Sequence, residues 1–317
     1  MSSAVVSQAW PRRRTTVICA VDARRGLQLS LAALWLLDGV LQLQSFMFTK
    51  AFARTVLAPS AQGNPGVIAA PITAVARLVA AHAAGANAAF ALTQLLLGLG
   101  IAWRPTVKLA LAASIGWALA VWWLGEGLGG VLTGHAGLIA GGPGAALLYA
   151  VLAIMLWPPA DARRDATFVA AGRLGARRAR VGWAILWIAL AGFAVQGSNR
   201  SAQGLHDVIK DMAGGQPAWL ASIDNATAAL VANRGLGVSI GLAVVCAAIA
   251  VSAYGSATVM RAGVAITVIL SLVIWVTAQA LGGLFGSEGT DPNTGPLLVV
   301  IALAFWPLAP RTESGAA

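Results

Sequence analysis

Eight long apolar runs divide this chain, and they leave it few ways to fold. They cover residues 27–48, 72–101, 107–124, 144–157, 181–197, 226–253, 259–281 and 295–308. A bilayer core of about 30 Å is crossed by roughly 20 apolar residues in a helix. The runs are continuous rather than alternating, so the strands of a membrane barrel do not fit. Helices remain as the way to satisfy the backbone inside lipid. Composition agrees: 58% of residues are apolar and 10% charged, against about 25% charged in a soluble domain. Disorder needs the opposite balance, low hydrophobicity with high net charge. The expected fold class is an all-α polytopic membrane protein with eight transmembrane helices. The expected location is the cell (plasma) membrane, multi-pass, with the lipid bilayer as its first partner.

The net charge of +10 raises the question of nucleic acid, and the placement of the charges answers it. With the N-terminus inside, the inner segments hold Arg12, Arg13, Arg14, Arg24, Arg25, Arg104, Lys108, Arg163, Arg164, Arg173, Arg177, Arg178, Arg180, Arg261 and Arg311, which is 15 of the 21 basic residues. Only Lys50, Arg54, Arg77, Arg200, Lys210 and Arg234 fall on the outer side. This is the positive-inside asymmetry, helped by attraction to anionic lipid, and not a nucleic-acid footprint. Trp103, Trp157, Trp183 and Trp306 fall at the inner boundary, as an aromatic belt would. Both termini are therefore expected in the cytoplasm. Residues 1–26 read as a cytoplasmic tail, since the apolar stretch at 17–21 is too short for a signal-peptide core. Residues 158–182 read as an Arg-rich cytoplasmic linker and 309–317 as a second tail. The two cysteines, Cys19 and Cys246, have no paired spacing, and a zinc or iron–sulfur site needs more thiolates. No phosphate-cradling or nucleophile-elbow motif is present. No metal site is expected, and no cofactor is assigned.

The chain repeats itself at an offset of 152–153 residues. Aligning 61–80 with 213–232 pairs Gly63 with Gly215 and Pro65 with Pro217, and nine of the twenty positions are identical. Farther on, Trp122, Leu128, Gly129 and Gly130 pair with Trp275, Leu281, Gly282 and Gly283; Glu126 pairs with Gln279. Each half closes on Trp-Pro, at Trp157–Pro158 and Trp306–Pro307. The pattern predicts a tandem, parallel duplication of a four-helix unit, 27–157 and 183–308. The last run of each unit is short and follows a Gly-rich apolar stretch, 128–142 and 281–294. Such a stretch is either an outer loop folded into the bundle, because irregular backbone at membrane depth must be buried or line a cavity, or the start of a tilted helix.

Polar residues inside these runs are the candidate site. Asp38 lies in the first run, where a charge costs about 2.5–3.5 kcal/mol on insertion scales. Gln42, Ser45 and Thr49 follow on its face. Asp38 reads either as a protonated group locking helices together or as an acid that binds a proton or a substrate. Its repeat partner is Leu190. The second run carries Thr73, Arg77, Asn87 and Gln94 within about 100° of one another on one helix, and Arg77 is a candidate partner for Asp38 or Glu126. Glu126 stands at the mouth of a Gly-rich loop, either solvated or part of a site. His135, Glu288 and Asp291 are candidates to join it, and Gln279 is its uncharged counterpart. Farther along, Gln196, Asn199, Arg200, Gln203, His206 and Asp207 suggest an outer helix, either lying over the bundle or solvated. The candidate binding residues are thus Asp38, Gln42, Arg77, Asn87, Gln94, Glu126, His135 and Gln279.

Two resemblances can be placed on residues. Gln94–Leu95–Leu96–Leu97–Gly98–Leu99–Gly100, then Arg104 and an alanine-rich helix, resembles the DoxX-like superfamily of small four-helix membrane proteins, over about a fifth of the chain. Leu37–Asp38–Gly39 with Gln42, Gly63–Asn64–Pro65, Leu128–Gly129–Gly130 and the 289–296 stretch make the whole chain similar to a family of actinobacterial integral membrane proteins with no assigned activity. The DoxX-like resemblance implies thiosulfate oxidation with quinone as acceptor for some members, and therefore a quinone-linked oxidoreductase subunit here. No catalytic residue carries over. The expected function is binding or translocation of a small solute or ion from the outer side. The alternatives are that redox subunit, with quinone as partner, and a scaffold for another membrane subunit.

Overall fold

The computed structural model describes residues 20–159 and 167–308. The expected tails before Ala20 and from residue 309 on, the segment 160–166 and Cys19 lie outside the described residues. The protein is all-helical, with no strand among the described residues. Four helices are long and apolar enough to cross a membrane: Ala83–Ala102, Arg104–Leu124 (entered through a 3-10 turn), Gly235–Ser252 and Ala257–Thr277.

The main helices of the first half are α1 (Ala20–Leu41), α2 (Gly66–Ala81), α3 (Ala83–Ala102), α4 (Val107–Leu124) and α5 (Ala145–Met155). Those of the second are α6 (Ala176–Ala194), α7 (Gly204–Met212), α8 (Ala218–Val231), α9 (Gly235–Ser252), α10 (Ala257–Thr277) and α11 (Thr294–Ala304). The packing follows one scheme in each half. α1 lies along α3 and α4 along α5; α6 lies along α9 and α10 along α11. The short helices α5 and α11 meet each other at the centre. Both are apolar on every side, and a helix of that kind belongs inside a bundle. Their lengths of 11 residues give only about 16 Å at 1.5 Å per residue.

Four sequence boundaries need correction. The run 72–101 is broken at His82, whose backbone leaves the helix at φ −128°, ψ 40° while its amide still bonds the oxygens of Leu78 and Val79. The run 226–253 is broken at Asn233, which takes φ 62°, a conformation asparagine tolerates better than most residues; its amide bonds Ala202 O at 2.9 Å. Alanine-rich sequence continues across the first break and hides it, whereas the second falls at Asn233–Arg234–Gly235, a local break signal. α1 starts within the supposed tail, because Arg24 is spent on structure: Nη1 donates to Met155 O (3.2 Å) and Trp157 O (3.1 Å), and Nη2 to Val169 O (2.7 Å). Arg24 thus satisfies carbonyls at the C-terminal end of α5, which the helix itself leaves unpaired. The linker is likewise part of the core. Phe168 stacks on Phe305 at 5.2 Å, Ala170 N donates to Ala304 O, and α6 begins at 176 rather than 181.

The Gly-rich stretches are turns, not the beginnings of tilted helices. Leu128, Gly129 and Gly130 take φ of 60°, 60° and 72°; Leu281, Gly282 and Gly283 take 52°, 71° and 73°. The indole of Trp122 donates to Pro143 O at 2.7 Å, and that of Trp275 to Pro292 O at 2.7 Å. Residues 136–139 and 141–144 of the first loop are buried.

Candidate functional site

The site begins with two glycines. A Cβ on Gly39 would meet Leu95 Cγ at 2.7 Å, and one on Gly98 would meet Leu36 Cγ at 2.6 Å. Small residues let helix backbones approach closely, so α1 and α3 pack tightly here. Asp38 of α1 is 2% exposed, and its Oδ1 meets no hydrogen-bond partner among the described residues. Gln94 of α3 is buried, with Oε1 also unpartnered. Both line a cavity of about 200 Å³.

Aromatic side chains wall this cavity. Trp35 is anchored by its indole N–H on Ser114 Oγ (2.9 Å) and lies 4.2 Å, centroid to centroid, from Tyr149. Phe90 and Trp117 pair across 5.7 Å. Phe52, Val56, Leu57 and Val75 close the apolar side. The Tyr149 hydroxyl is buried and lies beside Asp38, in position to donate to its carboxyl.

Two loop carboxyls complete the lining. Glu126 Oε1 accepts from Ala146 N at 3.0 Å, at the start of α5, a favourable place for an acid; its Oε2 is buried and unpartnered. Asp291 arrives from the loop of the other half. Its Oδ1 accepts from Asn293 N (2.7 Å) and its Oδ2 from Thr290 Oγ1 (2.8 Å). Burial pushes the Glu126 carboxyl up to about 8, and the neighbouring Asp291 charge adds to the rise. Burial also raises Asp291 above the usual carboxylate range. Both residues line a second, more open cavity of about 310 Å³ together with His135, Gly141 and Asn293. The pair therefore stands where the aromatic chamber meets the more open vestibule, lining both.

The remaining sequence candidates fall as follows. Gln42 lines the chamber, but its amide is clamped to Asn87: Gln42 Nε2 donates to Asn87 Oδ1, and Asn87 Nδ2 donates to Gln42 O at 2.6 Å. Asn87 is buried behind it, outside the lining. His135 is exposed and lines only the vestibule. Gln279 lines neither cavity; its Nε2 donates to Leu138 O (2.9 Å) and Thr294 Oγ1 (3.0 Å), tying the two loops together. Arg77 is not a partner for Asp38 or Glu126. It is exposed on α2 and its Nε reaches only Thr73 O at 3.4 Å, because the break at His82 separates its helix phase from that of Asn87 and Gln94. Glu288 is exposed. Among the described residues, no lysine or arginine lines the chamber and no three His, Cys, Asp or Glu side chains gather as a metal cage.

Sequence reasoning missed Tyr149, one of only two tyrosines. Its polar tip in an otherwise apolar run was the available signal. The aromatic walls carry no such signal, since tryptophan and phenylalanine are ordinary in these helices. No protein-family model, no curated protein and no solved structure matches this chain.

Proposed function

We propose that this is a plasma-membrane protein that binds a small solute or ion in the Asp38 chamber and gives it access from the outer side. The reading takes the chain as eight spans, a tandem duplication of a four-helix unit, with both termini cytoplasmic. In its support, the turns at Leu128–Gly130 and Leu281–Gly283 share one geometry, and Trp122 and Trp275 make the same bond. α5 and α11, at about 16 Å by the helical rise, would complete their crossings through the folded loops. The vestibule lies at the end of the bundle opposite Arg24 and Arg25, hence outside by the positive-inside rule.

The observation that carries the reading is the unpartnered Asp38 oxygen in a cavity, 2% exposed. A buried acid with an oxygen left unpaired and Tyr149 as its neighbouring donor is costly, and a purely structural role would have satisfied both oxygens. The test is a counterflow screen of small cationic, neutral and anionic solutes in proteoliposomes. At least one solute should saturate, and Asp38→Asn should abolish its uptake while elution and melting temperature stay unchanged. Undiminished uptake by that variant overturns the reading.

A second reading is favoured by one feature, the close Trp35–Tyr149 pair beside Asp38. A flat ring with a carbonyl could lodge there, as the quinone-linked subunit requires. Lipid extracts of the purified protein should then contain quinone in proportion to protein, and a quinone-free extract removes this reading. A scaffold role for a second membrane subunit requires stable co-purification from native membranes.

A further inference from the structure

The chamber has an unusual balance of donors and acceptors. Three side chains that line it each carry a buried oxygen with no hydrogen-bond partner among the described residues: Asp38 Oδ1, Gln94 Oε1 and Glu126 Oε2. Asp291 adds a third carboxyl, already held by its own loop. Against these stand few donors: the Tyr149 hydroxyl, the Gln94 amide and the Trp117 indole. No basic side chain is in the lining. An anionic ligand would find no cationic side chain in the lining to offset its charge, and an unpaired buried charge is costly. A neutral ligand would leave the carboxyls of the lining without a counter-charge.

We propose that the chamber is a binding site for a primary organic ammonium ion of arylalkylamine size. This rests on the reading that the Asp38 chamber takes a solute. A primary ammonium has three N–H donors and no acceptor, which suits a lining with three carboxyls and the Gln94 amide oxygen and no basic side chain. The ion's positive charge also stabilises the ionised form of Glu126, which burial otherwise keeps protonated up to about pH 8. Its apolar body lies between Trp35, Phe90 and Trp117, whose ring faces attract a cation. The size follows from the cavity: an engineered apolar cavity of about 150 Å³ accepts benzene, so about 200 Å³ accepts one ring with a short arm.

The test uses the full chain in lipid nanodiscs and radiolabelled 2-phenylethylammonium, with empty nanodiscs as blank. 2-Phenylethanol and 3-phenylpropionate serve as neutral and anionic competitors of similar shape. The expected result is saturable binding, displaced by unlabelled amine and at least tenfold less by either competitor. Asp38→Asn should weaken it at least tenfold, and Gln94→Leu should weaken it less, which keeps the test decisive if the first variant does not fold. Equal displacement by the alcohol, preference for the carboxylate or absence of saturable amine binding overturns the cation assignment while leaving solute binding at the site standing. Unchanged amine binding in both variants instead overturns the chamber as the site.

Discussion

Gly129→Ala would test how tightly the turn that carries Glu126 is closed. Gly129 has φ 60°, and an added Cβ would lie 2.0 Å from Pro143 O, 2.3 Å from its carbonyl carbon and 2.7 Å from Gly144 N. Two costs follow. The left-handed backbone costs an alanine about 1–2 kcal/mol, and the overlap is with backbone that cannot rotate aside, for which overpacking costs of about 1–3 kcal/mol are typical. The expected loss is the sum, about 2–5 kcal/mol. Gly134→Ala is the control, with φ 75° and nothing within 4 Å of its Cβ; it should lose only the backbone part, about 1–2 kcal/mol. Both variants would be melted in one detergent by circular dichroism, and Gly129→Ala should melt clearly below Gly134→Ala. The consequence reaches the site. Pro143 O receives Trp122, and the start of α5 just beyond it holds Glu126 Oε1, so displacing Pro143 also displaces that anchor. Equal melting of the two variants refutes the reasoning, since backbone strain would then be the whole effect.

Three further outcomes are expected. Glu126 holds a proton in the folded protein up to about pH 8, while its ordinary value is 4.5; the folded state then binds more protons, so its stability falls as pH rises from 4.5 to 8, by at most about 1.4 kcal/mol per unit, and Glu126→Gln should flatten melting curves over that window, whereas parallel curves contradict the shift. Arg24→Met leaves the oxygens of Met155, Trp157 and Val169 without their donor and should cost about 2–4 kcal/mol, read as a lower melting temperature, with Arg24→Lys recovering only part because it lacks the fork. Trp122→Phe and Trp275→Phe each remove one 2.7 Å bond to a proline carbonyl and should lose similar amounts, about 1–3 kcal/mol; strongly unequal melting losses would speak against equivalent turns in the two halves.

What the sequence discloses depends on how local the signal is. Continuous apolar runs announce helices, because lipid and core alike ask for that pattern. The Leu-Gly-Gly turns are legible because residues at positive φ favour glycine and because the paired tryptophans stand at fixed offsets. The break at Asn233 carries a local signal in Asn-Arg-Gly, whereas the break at His82 is hidden, since alanine serves equally on both sides of it. That hidden break is why a helical wheel drawn over 72–101 places Arg77 with Gln94, while the structure turns Arg77 out. Asp38 stands out as a charge among apolar neighbours. Asp291 does not, because in a loop rich in polar residues nothing local distinguishes it from exposed Glu288. Only the approach of one half's loop to the other half's helices makes the difference. Arg24 reads as one more inner-face charge until the carbonyls of Met155, Trp157 and Val169 are seen around it.

On the proposed reading of the chain as a tandem duplication, the two halves divide the chemistry. Where the first half has Asp38, the second has Leu190, fully buried in the core. Where the first has Glu126 with a free oxygen, the second has Gln279, whose amide donates to Leu138 O and Thr294 Oγ1. The substitution of an amide for a carboxyl adds donors, and these fasten the first loop to the start of α11. At Asp291, next to Pro292 as Gly142 is next to Pro143, the second half supplies an acid that lines the first half's chamber. The second half therefore acts on the site twice, once through Asp291 and once through the Gln279 anchor that sets where the first loop lies. A single four-helix unit would lack both. In this arrangement the pairing of α5 with α11 is what completes the chamber, so the polar site belongs to the junction of the two halves more than to either one.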